Sequence, residues 1–380
     1  MTTGLPLGMT SSATTSPSLS SPAVLDGTGR TALVVGATGI SGSATVDLLA
    51  ANGWTVLALS RRPGIARDNV RWVSVDLQNA DDLARTLAAE NPSHVYITAW
   101  SRQATEEENI RVNGGMVRDL LAALDHAPLE HVALMTGLKH YLGSFDAYGQ
   151  GEIPETPFRE EEPRRAEQNF YYAQEDEVFA AAARRGFTWS THRSHTVVGH
   201  AVGNAMNMGL TLAVYATICR VLERPFIFPG SETQWNGLTD MTDATVLAEQ
   251  MVWASTHEAG RNEPFNVVNG DVFRWRWMWQ RLADYFGVVP VGPGTEPQPL
   301  EQQMAGIEST WSTIARDHDL AEADVSRLAS WWHTDADLGR TMEVVTDMSK
   351  SRLAGFTTHH RTVDSFTALF DQYRAEKLIP

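Results

Sequence analysis

Thr31-Ala-Leu-Val-Val-Gly36-Ala-Thr-Gly39-Ile-Ser-Gly42 is the stretch that decides the fold. The run Ala32 to Gly36 is short, apolar and rich in β-branched residues, which predicts a strand buried on both faces. Three glycines follow, and then a helical pattern carrying Val46, Leu48 and Leu49. Glycines between a strand and a helix let the backbone approach a pyrophosphate, and the helix N-terminus offers free N–H groups and the positive end of its dipole. A plain glycine turn is the alternative, but the order of strand, glycines and helix favours a nucleotide site. Gly36, Thr38, Gly39, Ile40 and Gly42 are its expected contacts.

Outward from this stretch the same rhythm repeats. Further strands are predicted at Trp54 to Ser60, Val70 to Val75, His94 to Ala99 and Val132 to Thr136, separated by helices near Ala80 to Ala89 and Val112 to Leu124. Such alternation implies a parallel sheet with helices on both faces, a Rossmann-type doubly wound α/β fold. A Pro- and Glu-bearing stretch from Gly143 to Glu167 interrupts it. A helix from Phe170 to Arg185 and a strand from Thr188 to Arg193 resume it. Beyond Gly199 the alternation is lost: Met206 to Leu222 reads as a helix, Phe265 to Val268 as a strand, Trp275 to Phe286 as a helix, and most of the remainder as amphipathic helix. The expected organisation is a disordered tail over residues 1–29, a nucleotide-binding Rossmann domain over 30–198, and a smaller, mostly helical substrate-capping part over 199–380, partly interleaved with the sheet.

The net charge of −16 argues against a protein that holds nucleic acid through diffuse positive charge, so an anionic cofactor needs a locally basic pocket. Cys219 is the one cysteine and sits in an apolar run, which excludes an internal disulfide and a cysteine metal site and reads as a buried structural thiol. The Ser/Thr/Pro-rich first 28 residues lack the basic start and apolar core of a secretory signal, and no run is long enough to cross a bilayer. A cytoplasmic protein without membrane contact is expected.

The end of the second strand reads Ser60-Arg61-Arg62, with no carboxylate before Asp68. An NAD site usually has Asp or Glu there for the ribose 2′-hydroxyl, whereas arginine suits the 2′-phosphate of NADPH. Solvated surface is the bland reading of the arginine pair; phosphate recognition is the one favoured in so acidic a chain. Asp76, after the third strand, suits an adenine contact or a simple turn, and Leu77 beside it, with Thr98 and Ala99 after the fourth strand, completes this part of the cofactor set. A Tyr-x-x-x-Lys pair, common in short-chain dehydrogenases/reductases, is absent: Tyr171 is followed at that offset by Glu175 and Tyr172 by Asp176. Lys139, in Thr136-Gly-Leu-Lys-His-Tyr141 after the fifth strand, stands where ligands bind in such sheets and can supply the missing cation.

At these residues the chain resembles the progesterone 5β-reductase/iridoid synthase-like enzymes, a group of atypical short-chain dehydrogenases/reductases. The resemblance rests on the GxxGxxG spacing of Gly36 to Gly42, His94-Val-Tyr-Ile-Thr98, Thr136 to Tyr141, Asn169-Phe-Tyr-Tyr172 with Glu175-Asp176, Thr188-Trp-Ser190 before His192-Arg193, and Asn266 to Asp271. It covers roughly Ala32 to Val288. It implies an NADPH-dependent oxidoreductase that reduces the activated C=C bond of an enone or enal, with the catalytic tyrosine at Tyr171 and its lysine at Lys139. Val197, Asn204, Ala205 and Met206 fall where that family touches the cofactor. After His192-Arg193 the family continues with proline and glycine, whereas this chain has Ser194-His195-Thr196.

Trp100, Phe145, Met208 and Trp235 are expected in an apolar substrate wall, with ordinary packing as the alternative. Phe273-Arg-Trp-Arg-Trp-Met-Trp279 reads as a packed amphipathic helix rather than a nucleic-acid or membrane surface. No histidine set has metal-ligand spacing and no GxSxG elbow occurs, so neither a metal site nor serine hydrolysis is expected. A carbonyl reductase of the same fold and a non-catalytic NADPH sensor are the rival readings, and a homodimer is compatible with all three.

Overall fold

The computed structural model describes residues 26–144 and 154–380. Eleven strands are present among them: β1 Thr31–Val35, β2 Thr55–Ser60, β3 Val70–Ser74, β4 His94–Ile97, β5 His131–Gly137, β6 Thr188–Ser194, β7 Val197–Val198, β8 Phe226–Ile227, β9 Thr242–Asp243, β10 Glu263–Val267 and β11 Pro290–Val291. Seven form one parallel sheet in the order β10-β6-β5-β4-β1-β2-β3. The order reverses at β1, and in such sheets ligands bind outside the carboxyl ends of the strands at this point.

The apolar run in β1 serves two cores by simple alternation. Leu33 and Val35 face a layer that contains Leu57, Leu59, Val95 and Ile97 and helices α2 (Ala80–Leu87), α3 (Glu106–Ala123) and α5 (Phe170–Arg185). Ala32 and Val34 face α1 (Ile40–Ala51) and α8 (Ala244–Thr256) on the other side. Sequence periodicity does not single out α8, because apolar residues lie on most sides of the helix and it shows little amphipathic contrast. It fills the sheet face that a purely N-terminal domain would leave bare. Together with β10, it brings residues beyond Gly199 into the Rossmann layer.

Helix α3 begins at Glu106 rather than Val112, because Thr105 caps it by accepting the Glu108 N–H at 3.2 Å and three glutamates follow in the first turn. Residues 1–25 of the expected tail lie outside the described residues. Asp26 to Gly29 form a turn in which Asp26 accepts both the N–H and the hydroxyl of Thr28. Of the Pro/Glu stretch, the described part is docked rather than loose. Phe158 is fully buried with Leu138, Tyr141, Met342 and Val344, and its backbone bonds to Val345 and Asp347 at 2.9 Å each.

A second core lies in the C-terminal part, around α6 (Met208–Val221) and the helix Trp275–Phe286. Phe226 stacks on Trp279 at 3.9 Å, and the indole N–H of Trp279 donates to the Phe226 carbonyl at 2.8 Å. The tryptophan-rich motif is therefore core, with Trp277 left on the surface. No helix among the described residues is long and apolar enough to cross a membrane.

Candidate active site

A cleft of about 820 Å³ runs along the carboxyl ends of the strands, from the β2–β3 edge to the junction with the C-terminal part. At its centre is the glycine turn. Gly36 has φ +86°, and a Cβ there would lie 3.0–3.1 Å from Ala99 and Thr98. A Cβ on Gly42 would lie 2.1 Å from the Gly36 carbonyl oxygen. Gly42 thus packs α1 onto the turn and does not line the cleft, unlike Gly36, Thr38, Gly39 and Ile40. The N-cap of α1 is Gly39, which has no side chain to satisfy the first N–H groups, and these lie at the cleft surface with Ile40 and Ser41.

Along one arm lie Ser60, Arg61, Arg62, Asp76 and Leu77. The Ser60 hydroxyl donates to the Arg62 carbonyl, which fixes the backbone from which both guanidinium groups project. Asp76 accepts the Gln78 N–H at 3.0 Å and so also shapes its own turn. Thr98 and Ala99 line the middle, and Val197, Asn204 and Met206 line it from the C-terminal side. Ala205 is exposed and outside the lining. The glycine cradle, the open helix end and the arginine pair suit a dinucleotide phosphate.

The other arm holds Tyr171 and Lys139. Asn169 clamps them together: its side chain caps α5 by accepting the N–H groups of Tyr171 and Tyr172, while its amide donates to the Lys139 carbonyl at 3.3 Å. The Lys139 ammonium lies 5.4 Å from the centre of the Phe170 ring, which stacks on Trp100 at 4.9 Å. The Tyr171 hydroxyl lies against Gly137, 3.3 Å from where a Cβ would stand. Sequence spacing quoted the Asn-Phe-Tyr-Tyr motif without assigning this task to its asparagine.

Two nearby tyrosines are occupied elsewhere. The Tyr172 hydroxyl donates to the His140 carbonyl at 2.8 Å and accepts the Arg165 N–H, and burial pushes its pKa up. Tyr141 donates to Asn266 at 2.6 Å and accepts from Arg193; burial raises its pKa to about 12. Of these three tyrosines only Tyr171 lines the cleft.

The structure separates the residues of the expected substrate wall. Trp100 lines the cleft, but Met208 is buried in the C-terminal core and Trp235 packs against Phe228 at 5.0 Å, both away from it. The reason is that α6 and its neighbours have a core of their own, which absorbs these apolar side chains. Phe145 lies outside the described residues. The cleft is lined there by Ser194 at the end of β6, by His195 and Thr196 after it, and by His333, Asp337 and Arg340 from the C-terminal part. His195 donates through Nδ1 to the buried Asp240 at 2.9 Å and accepts Arg340 at Nε2 at 2.7 Å, which defines its tautomer. Arg340 pairs with Asp337, which also accepts the Thr196 hydroxyl at 2.8 Å. Among the described residues no three His, Cys, Asp or Glu side chains form a metal-binding group.

A family model described as a PRISE-like Rossmann-fold domain matches residues 32–380. The chain is 35% identical to a 3-oxo-Delta(4,5)-steroid 5-beta-reductase of Arabidopsis thaliana over 362 residues, covering 92% of this chain and 93% of the relative. It is 36% identical to an (S)-8-oxocitronellyl enol synthase of Antirrhinum majus, covering 92% of each. Among solved structures, a UDP-glucose 4-epimerase of Thermus thermophilus in complex with NAD superposes with a TM-score of 0.62 at 19% identity, over 91% of this chain and 99% of that one. An epimerase of Methanothermobacter thermautotrophicus gives 0.67 at 15% identity, over 92% and 93%. These two structures speak to the fold alone.

Proposed function

The chain belongs to the PRISE-like Rossmann-fold family and is an oxidoreductase of that family; from this premise we propose that it reduces the activated C=C bond of enones or enals with NADPH. The observation that carries the reading is the Asn169 clamp, which holds the Lys139 backbone beside the first turn of α5, while the Tyr171 hydroxyl lies against the end of β5. NADPH rather than NADH is favoured by Arg61 and Arg62 in the cleft lining. The first of the two relatives described above is named for a steroid with a 4,5 double bond, which supports reduction of a conjugated C=C bond.

When bound, the cofactor supplies a hydride. The N–H groups at the start of α1 and the glycine turn hold its pyrophosphate, and the arginine pair holds its 2′-phosphate. Tyr171 donates a hydrogen bond to the substrate carbonyl oxygen, and the Lys139 ammonium adds positive potential. As the β-carbon is reduced, negative charge gathers on that oxygen as an enolate, so both groups bind the transition state more strongly than the ground state. Protonation of the α-carbon then completes the saturated carbonyl. The part of residues 199–380 that lies outside the sheet layer caps the substrate.

The test is NADPH oxidation with a panel of enones, enals and simple ketones, followed by product identification. Saturated carbonyl products are expected. Allylic alcohols would instead establish carbonyl reduction, and binding of NADPH without turnover of any compound would leave a sensor.

A further inference from the structure

The wall made by Thr196, His195, Asp337 and Arg340 is charged and buried where an enone of pure hydrocarbon character would be served by apolar contacts. Asp240 is fully buried, and the side chains of Asp337 and Arg340 are only 12% and 11% exposed. Buried charges are costly unless each is paired and hydrogen-bonded. Here the chain Asp240–His195–Arg340–Asp337–Thr196 pairs every member, and the Thr346 N–H donates to the second Asp240 oxygen at 2.6 Å. The members of the network are thus paired by one another.

It is not saturated. A carboxylate offers about four acceptor positions. Among the described residues, Asp337 uses one oxygen for Arg340 and the other for Thr196, so acceptor capacity remains on a group that lines the cleft. Burial works against its charge, but Arg340 and the Thr196 hydroxyl help to hold the carboxyl below its usual range, so it is ionised at neutral pH. The imidazole of His333 also lines the cleft and makes no hydrogen bond among the described residues. Burial, aided by Arg340 and Arg102 and opposed by Asp337, keeps it neutral. An ionised acceptor beside a neutral imidazole suits a donor that is itself uncharged. A second carboxylate on the substrate would be repelled by Asp337.

We propose that Asp337, supported by Arg340 and with His333 beside it, is the recognition site for a hydroxyl group on the substrate, remote from its C=C–C=O unit. The preferred substrates are thus hydroxylated enones or enals. This rests on the reductase reading above, and it adds a selectivity that the reading does not require.

The experiment compares straight-chain 2-alkenals of six to ten carbons with their ω-hydroxy counterparts, in the wild type, Asp337→Asn and Arg340→Gln, using kcat/KM with NADPH. Binding of the saturated aldehydes of both series to the NADP⁺-loaded protein is measured alongside. At one chain length at least, the wild type prefers the hydroxylated compound about ten- to a hundredfold, as expected for a hydrogen bond to a charged group, and the ratio falls towards one in both variants. Equal turnover of both series at all lengths, or variants that lose both in parallel with the ratio intact, would overturn the proposal. If no alkenal is reduced, the reductase reading fails, and the binding ratio decides the hydroxyl site by the same criterion.

Discussion

The two arms of the cleft are built on different principles. The arm around Gly36 and Arg61 is made from local sequence: one strand end, one turn, one helix start and the end of the neighbouring strand. The backbone N–H groups at the start of α1 face the cleft there, and two adjacent arginine side chains stand beside them. The arm around Tyr171 joins five distant segments, near residues 100, 137–139, 169–171, 194–196 and 333–340. Its geometry depends on side chains that reach across to other segments, as Asn169 holds the Lys139 backbone and His195 holds Arg340. A phosphate is always the same shape, so a backbone cradle suffices for it. Substrate choice requires side chains from separate elements, each of which can change without disturbing the cradle.

Perturbations should respect this division. The largest effect is expected for Gly42→Ala, whose Cβ would stand 2.1 Å from the Gly36 oxygen and 2.7 Å from its carbon, both backbone atoms that cannot step aside. Calorimetric titration should show NADPH binding abolished or the folded protein lost. Unchanged binding would mean that the cradle is not built as described. In the other arm, Tyr171→Phe should lower kcat by roughly 10²–10³ with KM little changed, since a single oxyanion donor is worth that much. Tyr172→Phe serves as its contrast. It should leave kcat within a few-fold while thermal denaturation shows a loss of about 1–2 kcal/mol from the severed bond to His140.

Next in size, Arg61→Ala and Arg62→Ala together should raise KM for NADPH about tenfold or more and leave NADH little affected. An equal shift for both cofactors would reassign the pair to surface.

A separate effect, on stability rather than on turnover, concerns the sheet beneath both arms. His94, His131 and His192 are buried, and His131 and His192 are joined through the Ser190 hydroxyl at 2.9 and 2.8 Å. Desolvation, reinforced by Arg30 at His94 and by neighbouring histidines at His131, holds all three below the usual 6.5, with His94 and His192 near 4. The unfolded chain therefore takes up protons first. Stability is intact above about pH 6.5 and falls as the pH drops towards 4, by up to about 1.4 kcal/mol per pH unit for each histidine. Glu160 and Glu175, raised by burial, act in the opposite sense. Denaturant midpoints at pH 7, 6 and 5 measure the slope, and a flat profile would contradict neutral buried imidazoles.

Legibility in the sequence followed the same division. The strands of the nucleotide half were readable because a strand buried on both faces is a continuous apolar run, and the glycine spacing sits beside it. Tyr171 and Lys139 were readable only through motif resemblance, since nothing in their spacing shows that Asn169 joins them. Met208 and Trp235 suit a substrate wall in the sequence and belong to a core in the structure, because apolar residues look alike whether they face a ligand or a core. The second core that absorbs them is visible only once α6 and the helix Trp275–Phe286 have come together. Asp337 and Arg340 carried no signal at all. Arg340 is bound to His195, whose departure from the family pattern is visible in the sequence, whereas its partners Asp240 and Arg340, 45 and 145 positions away, are not.

The most direct test of the account is to follow deuterium from [4-²H]NADPH into an enone that the protein turns over, and to locate it by NMR. The account predicts deuterium on the former β-carbon of a saturated carbonyl compound, formed by the wild type and more than a hundredfold more slowly by Tyr171→Phe. Deuterium on the carbinol carbon of an allylic alcohol, or a Tyr171→Phe rate equal to that of the wild type, would contradict it.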